Sequence, residues 1–217
     1  MNKLILLSAT YQQSSEAAPE ALARDPENRL FSRQNRARLE GEVLRDSLLA
    51  ISGRLNVQMG GPGVSPPIPP DITTTAKNWT TSANHADHYR RSIYVFARRN
   101  LRFPFLEVFD APDSNLSCPE RGHSTTAPQS LTLLNSQEVI TAARATADRV
   151  RSASTSAEGR IDFAFRLILG RGPEPREMTI AREFIKANYR KDAGKADGDY
   201  SELCRALFNL NTFVYAD

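Results

Sequence analysis

Cysteine is scarce in this chain: Cys118 and Cys204 are the only two among 217 residues. Two thiols exclude a disulfide-dense scaffold and a four-cysteine zinc site. Lying 86 positions apart, they also exclude the C-x-x-C-H pair that attaches a c-type haem. Tryptophan occurs once, at Trp79, and histidine three times. Long apolar runs are missing, and none approaches the roughly 20 residues that span a bilayer. Leu4 to Leu7 is an apolar run of four residues, against roughly seven to fifteen for the core of a signal peptide. It reads as a helix end or a short buried segment. A strong charge excess is lacking as well. Twenty-eight Lys and Arg against 25 Asp and Glu leave +3, and nucleic-acid binding needs a broader basic face or a known module. No G-x-S-x-G elbow or H-E-x-x-H helix occurs, and Gly60-Gly61-Pro62-Gly63 lacks the G-K-[ST] ending of a phosphate loop.

What is present is mostly helical patterning. Leu39, Val43, Leu44, Leu48, Ile51 and Leu55 recur at spacings of three and four, one apolar stripe over residues 36–55. Asn35 is a candidate cap and Gly53 a candidate stop. Arg38, Glu42, Arg45 and Asp46 then fall on the wet side. Thr126-Ala127-Pro128-Gln129 has the form of a capping box with proline in the first turn. Asn135-Ser136 reads as a break that caps a second helix with Val139, Ile140, Ala143, Ala147 and Val150 inward. Further helices are expected through Ile161 to Leu169, stopped by Gly170, through Met178 to Ile185, and from Tyr200 to Leu210. Between these lies a Gly/Pro-rich loop, 57–89, long enough to be functional or disordered. Packing of Trp79 onto the body is favoured there over an exposed ligand contact. Ser92 to Ala97 is β-branched and aromatic and reads as a strand, with Phe103 to Val108 as a second extended segment, although Pro104 argues against a central strand. The expected architecture is mainly α: one helical domain, 1–217, of five or six helices with a small extended segment near 92–108. The chain enters an apolar segment at once, so it reads as a piece of a larger protein, with Met1 open to doubt as the true start.

The densest charge feature is Arg90, Arg91, Arg98, Arg99 and Arg102, with no acid between them. Guanidinium forks match sulfate, phosphate and carboxylate oxygens. The bland alternative is an internal ion network with Glu107, Asp110 and Asp113 just downstream, and it is favoured. His85 and His88 form an H-x-x-H pair, too few for a metal site without a third ligand. Cys118 and His123 stand five residues apart, a spacing that permits a thiol–imidazole pair without predicting one.

Several stretches together resemble one family. They include Leu6-Leu7-Ser8-Ala9-Thr10-Tyr11, Asn28-Arg29-Leu30, residues 38–53, Met59-Gly60-Gly61-Pro62, Arg91-Ser92-Ile93-Tyr94, Arg98-Arg99-Asn100, residues 105–113, Ser117-Cys118-Pro119, Thr125 to Ser136, Leu169-Gly170-Arg171 and Asn209 to Phe213. The chain resembles the C-terminal domain of unknown function in large planctomycete cytochrome c domain-containing proteins. The resemblance implies an exported, periplasmic or cell-surface parent with an upstream cytochrome c module as partner. It implies no cofactor in this chain and transfers no catalytic residue. It fades over 64–89, which suggests a variable insertion within the loop. Two functions are therefore expected to compete. One is a non-enzymatic interaction or scaffold module of a cytochrome c-linked, polysaccharide-handling protein. The other is a carbohydrate-active or hydrolytic domain, with Arg91, Arg98, Arg99, Asn100, Asp110 and Cys118 lining a site for sulfate or an acidic glycan.

Overall fold

Alternating apolar and polar residues at helical spacing, punctuated by caps, produce a chain built almost entirely of helices. The computed structural model describes residues 1–69, 79–98, 101–122, 124–187 and 200–216. Ten α-helices occur among them, and the fold is mainly α. The residues group into two compact units, Met1–Leu39 with Val214–Asp217, and Glu40–Phe213.

The smaller unit contains helices α1 (Asn2–Leu6) and α2 (Pro19–Arg24), neither of which buries a residue. Its ordered centre is a polar loop. Asp25 Oδ1 and Oδ2 accept the backbone N–H groups of Arg29 (2.9 Å) and Leu30 (2.7 Å). Those bonds, the one from Leu30 foremost, hold the Asp25 carboxyl below its ordinary pKa. Asn28 takes a left-handed φ of 53° and donates Nδ2 to Arg33 O at 2.7 Å and to Asn35 Oδ1 at 3.0 Å. Asparagine tolerates that conformation because its short amide bonds locally. The unit closes with the antiparallel pair β1 (Ala37–Arg38) and β2 (Tyr215–Ala216), Arg38 opposite Tyr215. This is where the small sheet lies.

The larger unit begins with α3 (Gly41–Ile51), shorter than the stripe suggests. The helix ends at Ile51 with Ser52 as its C-cap, and Gly53 just beyond takes φ +73°. Its buried face is Leu44, Arg45, Leu48 and Leu49, so Arg45 is not on the wet side. Its side chain is 1% exposed, and all three guanidinium nitrogens donate. Nε donates to Glu138 Oε1 at 2.7 Å, one Nη to Arg90 O at 3.0 Å and Ser92 Oγ at 3.3 Å, and the other to His88 O at 2.8 Å. The charge also lies 5.5 Å from the centre of the Phe103 ring.

The described residues of 92–108 do not form a pair of extended segments. Ser92–Tyr94 is a 3₁₀ turn, and only an isolated bridge joins Val95 to Val64. Pro104 opens helix α4 (Pro104–Val108) from its first turn, where the missing N–H costs nothing. Within the long loop Val64, Ile68 and Trp79 are buried, while Val57 and Met59 stay exposed. Trp79 is buried, donates Nε1 to Pro66 O at 2.8 Å and stacks on Phe103 with ring centres 6.3 Å apart. Arg90 is buried under the glycine turn and donates to the carbonyls of Gln58, Gly60 and Pro62.

Helices α5 (Ala127–Asn135), α6 (Gln137–Ala153), α7 (Ala157–Leu169), α8 (Pro175–Ala187), α9 (Tyr200–Phe208) and α10 (Asn211–Val214) complete the chain. The capping box of Thr126 and Gln129 forms, and Ser136 Oγ accepts the Val139 N–H at 3.3 Å. Gly170 ends α7 at φ +72°. The core lies chiefly between α6 and α9. Small residues on α6, Ala142, Ala143, Thr146 and Ala147, let the backbones approach, and Leu203, Cys204, Leu207 and Phe208 fill the contact from α9. Each fully buried Leu or Phe here contributes roughly 1.5–3 kcal/mol.

Candidate functional site

Two walls and a floor in the larger unit enclose a cleft of about 470 Å³. One wall is the start of α3, with Glu40, Glu42, Val43 and Asp46. The other is the segment from Arg91 to Arg98. Phe103 and Leu106 supply an apolar floor, and Arg121 reaches in from the connection after α4.

Buried bonds set the shape of the second wall. Arg45 grips the carbonyls of His88 and Arg90 from below. Asp46 Oδ1 accepts the Ser92 N–H at 2.7 Å. Val64 exchanges two backbone bonds, its N–H donating to Tyr94 O and its carbonyl accepting from the Phe96 N–H, both at 2.8 Å. With those anchors satisfied, the side chains of Ile93 and Phe96 are left exposed at the cleft.

The charges within the cleft are largely paired. Arg91 lies 3.6 Å from Asp46, and Arg121 sits between Glu42 at 3.0 Å and Glu40 at 3.1 Å. The bond to Glu42 above all raises the Arg121 pKa and fixes its charge. Arg102 pairs with Asp113 at 3.1 Å. The Asp113 carboxyl is held below its ordinary pKa, first by the Asn115 backbone N–H. Arg98 differs. It is half-buried in the cleft wall and makes no ion pair or side-chain hydrogen bond among the described residues.

Arg91 and Arg98 therefore come together at one cleft. Asp110 and Cys118 do not line it. The Asp110 carboxylate accepts from Ser124 Oγ at 2.8 Å, from the Ser124 N–H at 2.9 Å and from Gln129 Nε2 at 3.4 Å. Those bonds hold the left-handed turn (φ +61°) that ends α4. Cys118 is exposed and its Sγ donates to Glu120 O at 3.1 Å. Arg99, Asn100 and His123 lie outside the described residues. The His85 and His88 rings are 4.8 Å apart, and His88 Nε2 is bonded to Ser82 O at 2.7 Å. Among the described residues no three His, Cys, Asp or Glu side chains group as metal ligands, and no helix is long and apolar enough to cross a membrane. Arg121, Glu40, Glu42 and the apolar lip were not legible as site residues. Arg121 sits in an irregular connection with no spacing that ties it to α3.

The family model for PSD1, a protein of unknown function (DUF1553), matches residues 1–185. No curated protein and no solved structure matches the chain. The chain belongs to the PSD1 family, a domain of unknown function found in planctomycete cytochrome c-containing proteins, as its motifs suggested.

Proposed function

We propose that this domain is a non-enzymatic interaction module of an exported, cytochrome c-linked protein engaged in polysaccharide handling, and that it binds through the arginine-lined cleft. The observation that carries this reading is Arg98, a half-buried cation in a concave wall with no acidic partner among the described residues. A guanidinium so placed favours a ligand that brings the missing anion. Its neighbours Arg91, Arg102 and Arg121 are already engaged by acids, so they shape the cleft and leave Arg98 to recognise the ligand.

The second reading is a carbohydrate-active or hydrolytic domain whose cleft takes a sulfated or acidic glycan. The half-exposed Phe96 ring at the lip favours it, since an aromatic face suits the C–H face of a sugar. A panel of sulfated, uronic and neutral oligosaccharides and of acidic peptides separates the readings. Binding that disappears in Arg98→Ala without turnover of any probe supports the interaction module. Cleavage of a glycan supports the second reading. Failure of every probe to bind in an Arg98-dependent way overturns both.

A further inference from the structure

Three of the exposed large apolar side chains of the larger unit line one cleft: Val43, Ile93 and Phe96, at 43%, 75% and 51% exposure. Ile93 and Phe96 share the wall that carries Arg98, and Val43 stands on the facing wall. A ligand that satisfied only the charge would leave them wet. We propose that the cleft docks a segment of a partner protein that presents a single carboxylate beside an apolar side chain. This rests on the reading of the cleft as the binding site.

Three observations set the class of partner. Among the described residues the cleft offers one uncommitted cation, because the other arginines are held by Asp46, Asp113, Glu40 and Glu42. A second ligand anion would have to compete with Glu40, Glu42 and Asp46 for arginines that these acids already hold, which disfavours a polyanionic chain. The lip also contains aliphatic Val43 and Ile93 besides the Phe96 ring. Aliphatic surface gains from covering another apolar side chain, whereas sugar hydroxyls need free polar partners. The polar groups here are mostly spent on one another. Aromatic rings and arginines are residue types enriched at interfaces between proteins.

The test is an NMR titration of the full chain with four probes. They are an acetylated, amidated Gly-Leu-Glu-Leu-Gly peptide, its Leu-Gln-Leu counterpart, a Gly-Glu-Glu-Glu-Gly peptide and a disulfated disaccharide. The Leu-Glu-Leu peptide should shift the resonances of Arg98, Ile93 and Phe96. Replacing its Glu by Gln, or making Arg98→Ala, should each weaken binding about tenfold, the worth of one charge-assisted hydrogen bond. Phe96→Ala should weaken it as well. Both substituted side chains are partly exposed, and an unchanged circular dichroism spectrum checks that the fold persists. Arg98-dependent binding of the disaccharide or the triglutamate peptide, with none of the Leu-Glu-Leu peptide, overturns this inference and leaves the cleft as a binding site. Binding indifferent to Phe96→Ala also overturns it. No Arg98-dependent shift with any probe overturns the cleft reading itself.

Discussion

Replacing Arg45 by alanine tests the account of how the cleft is held. The guanidinium is taken out of water almost completely, and four acceptors depend on it: Glu138, the carbonyls of Arg90 and His88, and Ser92 Oγ. Removing one member of a buried ion pair costs roughly 3–5 kcal/mol, because the remaining groups stay desolvated without partners. Here Glu138 keeps a side-chain exposure of 26% and can recover some hydration. That places the loss for Arg45→Ala near the low end, about 3 kcal/mol. It is a large share of the roughly 5–15 kcal/mol that stabilises a typical domain. Arg45→Lys should recover only part of it, since an ammonium cannot reproduce a planar fork that bonds in three directions. Arg45→Met with Glu138→Leu should be milder than Arg45→Ala, because it removes both charges and keeps the stem packing. Urea unfolding followed by the fluorescence of Trp79 reads this directly. The ring lies against Phe103, on which Arg45 also rests. A loss for Arg45→Ala below about 1 kcal/mol at unchanged slope would refute the reasoning.

Other expectations follow from local geometry. A Cβ on Gly41 would lie 2.9 Å from Phe109 Cβ, so Gly41→Ala should destabilise by about 1–3 kcal/mol in the same unfolding assay. Ser136→Ala removes the cap of α6 and should cost about 1 kcal/mol, with Ser136→Asp retaining most of it. Glu177 receives both Nη groups of Arg171 at 2.7 Å, and that bond chiefly lowers its pKa below the ordinary 4.5. A carboxyl depressed in the folded state stabilises above its unfolded pKa, and the contribution fades as pH falls through the folded value. Glu177→Gln should therefore lower the unfolding midpoint at neutral pH, and the gap to the parent protein should narrow in acid. A gap independent of pH contradicts the assignment.

Short-range signals were legible in the sequence, and long-range ones were not. The box at Thr126 and Gln129, the cap at Ser136 and the glycine at 170 act within four residues, so their chemistry is written locally. Arg45 falls off the apolar stripe by spacing, yet it is buried. Its partners lie 43 to 93 positions away, and no periodicity reports them. Ser92 to Ala97 has strand composition, yet its backbone meets one bridge with Val64 instead of a ladder. Pro104 carried the correct signal in the wrong context, since it opens a helix. At the cleft, the run of arginines pointed to Arg91 and Arg98. Acids of α3 hold Arg91, through Asp46, and Arg121 outside the run, through Glu42, which the downstream acids did not foretell. Of those acids, Asp113 takes Arg102 as the bland reading expected, while Asp110 bonds Ser124 and Gln129.

Arginine side-chain NMR tests the central claim most directly, because it reports each guanidinium separately. In the ligand-free chain the Nε–H signal of Arg45 should be sharp and slow to exchange, and that of Arg98 fast. The Leu-Glu-Leu peptide should then slow and shift Arg98 while leaving Arg45 in place. An Arg98 signal already as protected as that of Arg45 before any ligand is added would contradict the account.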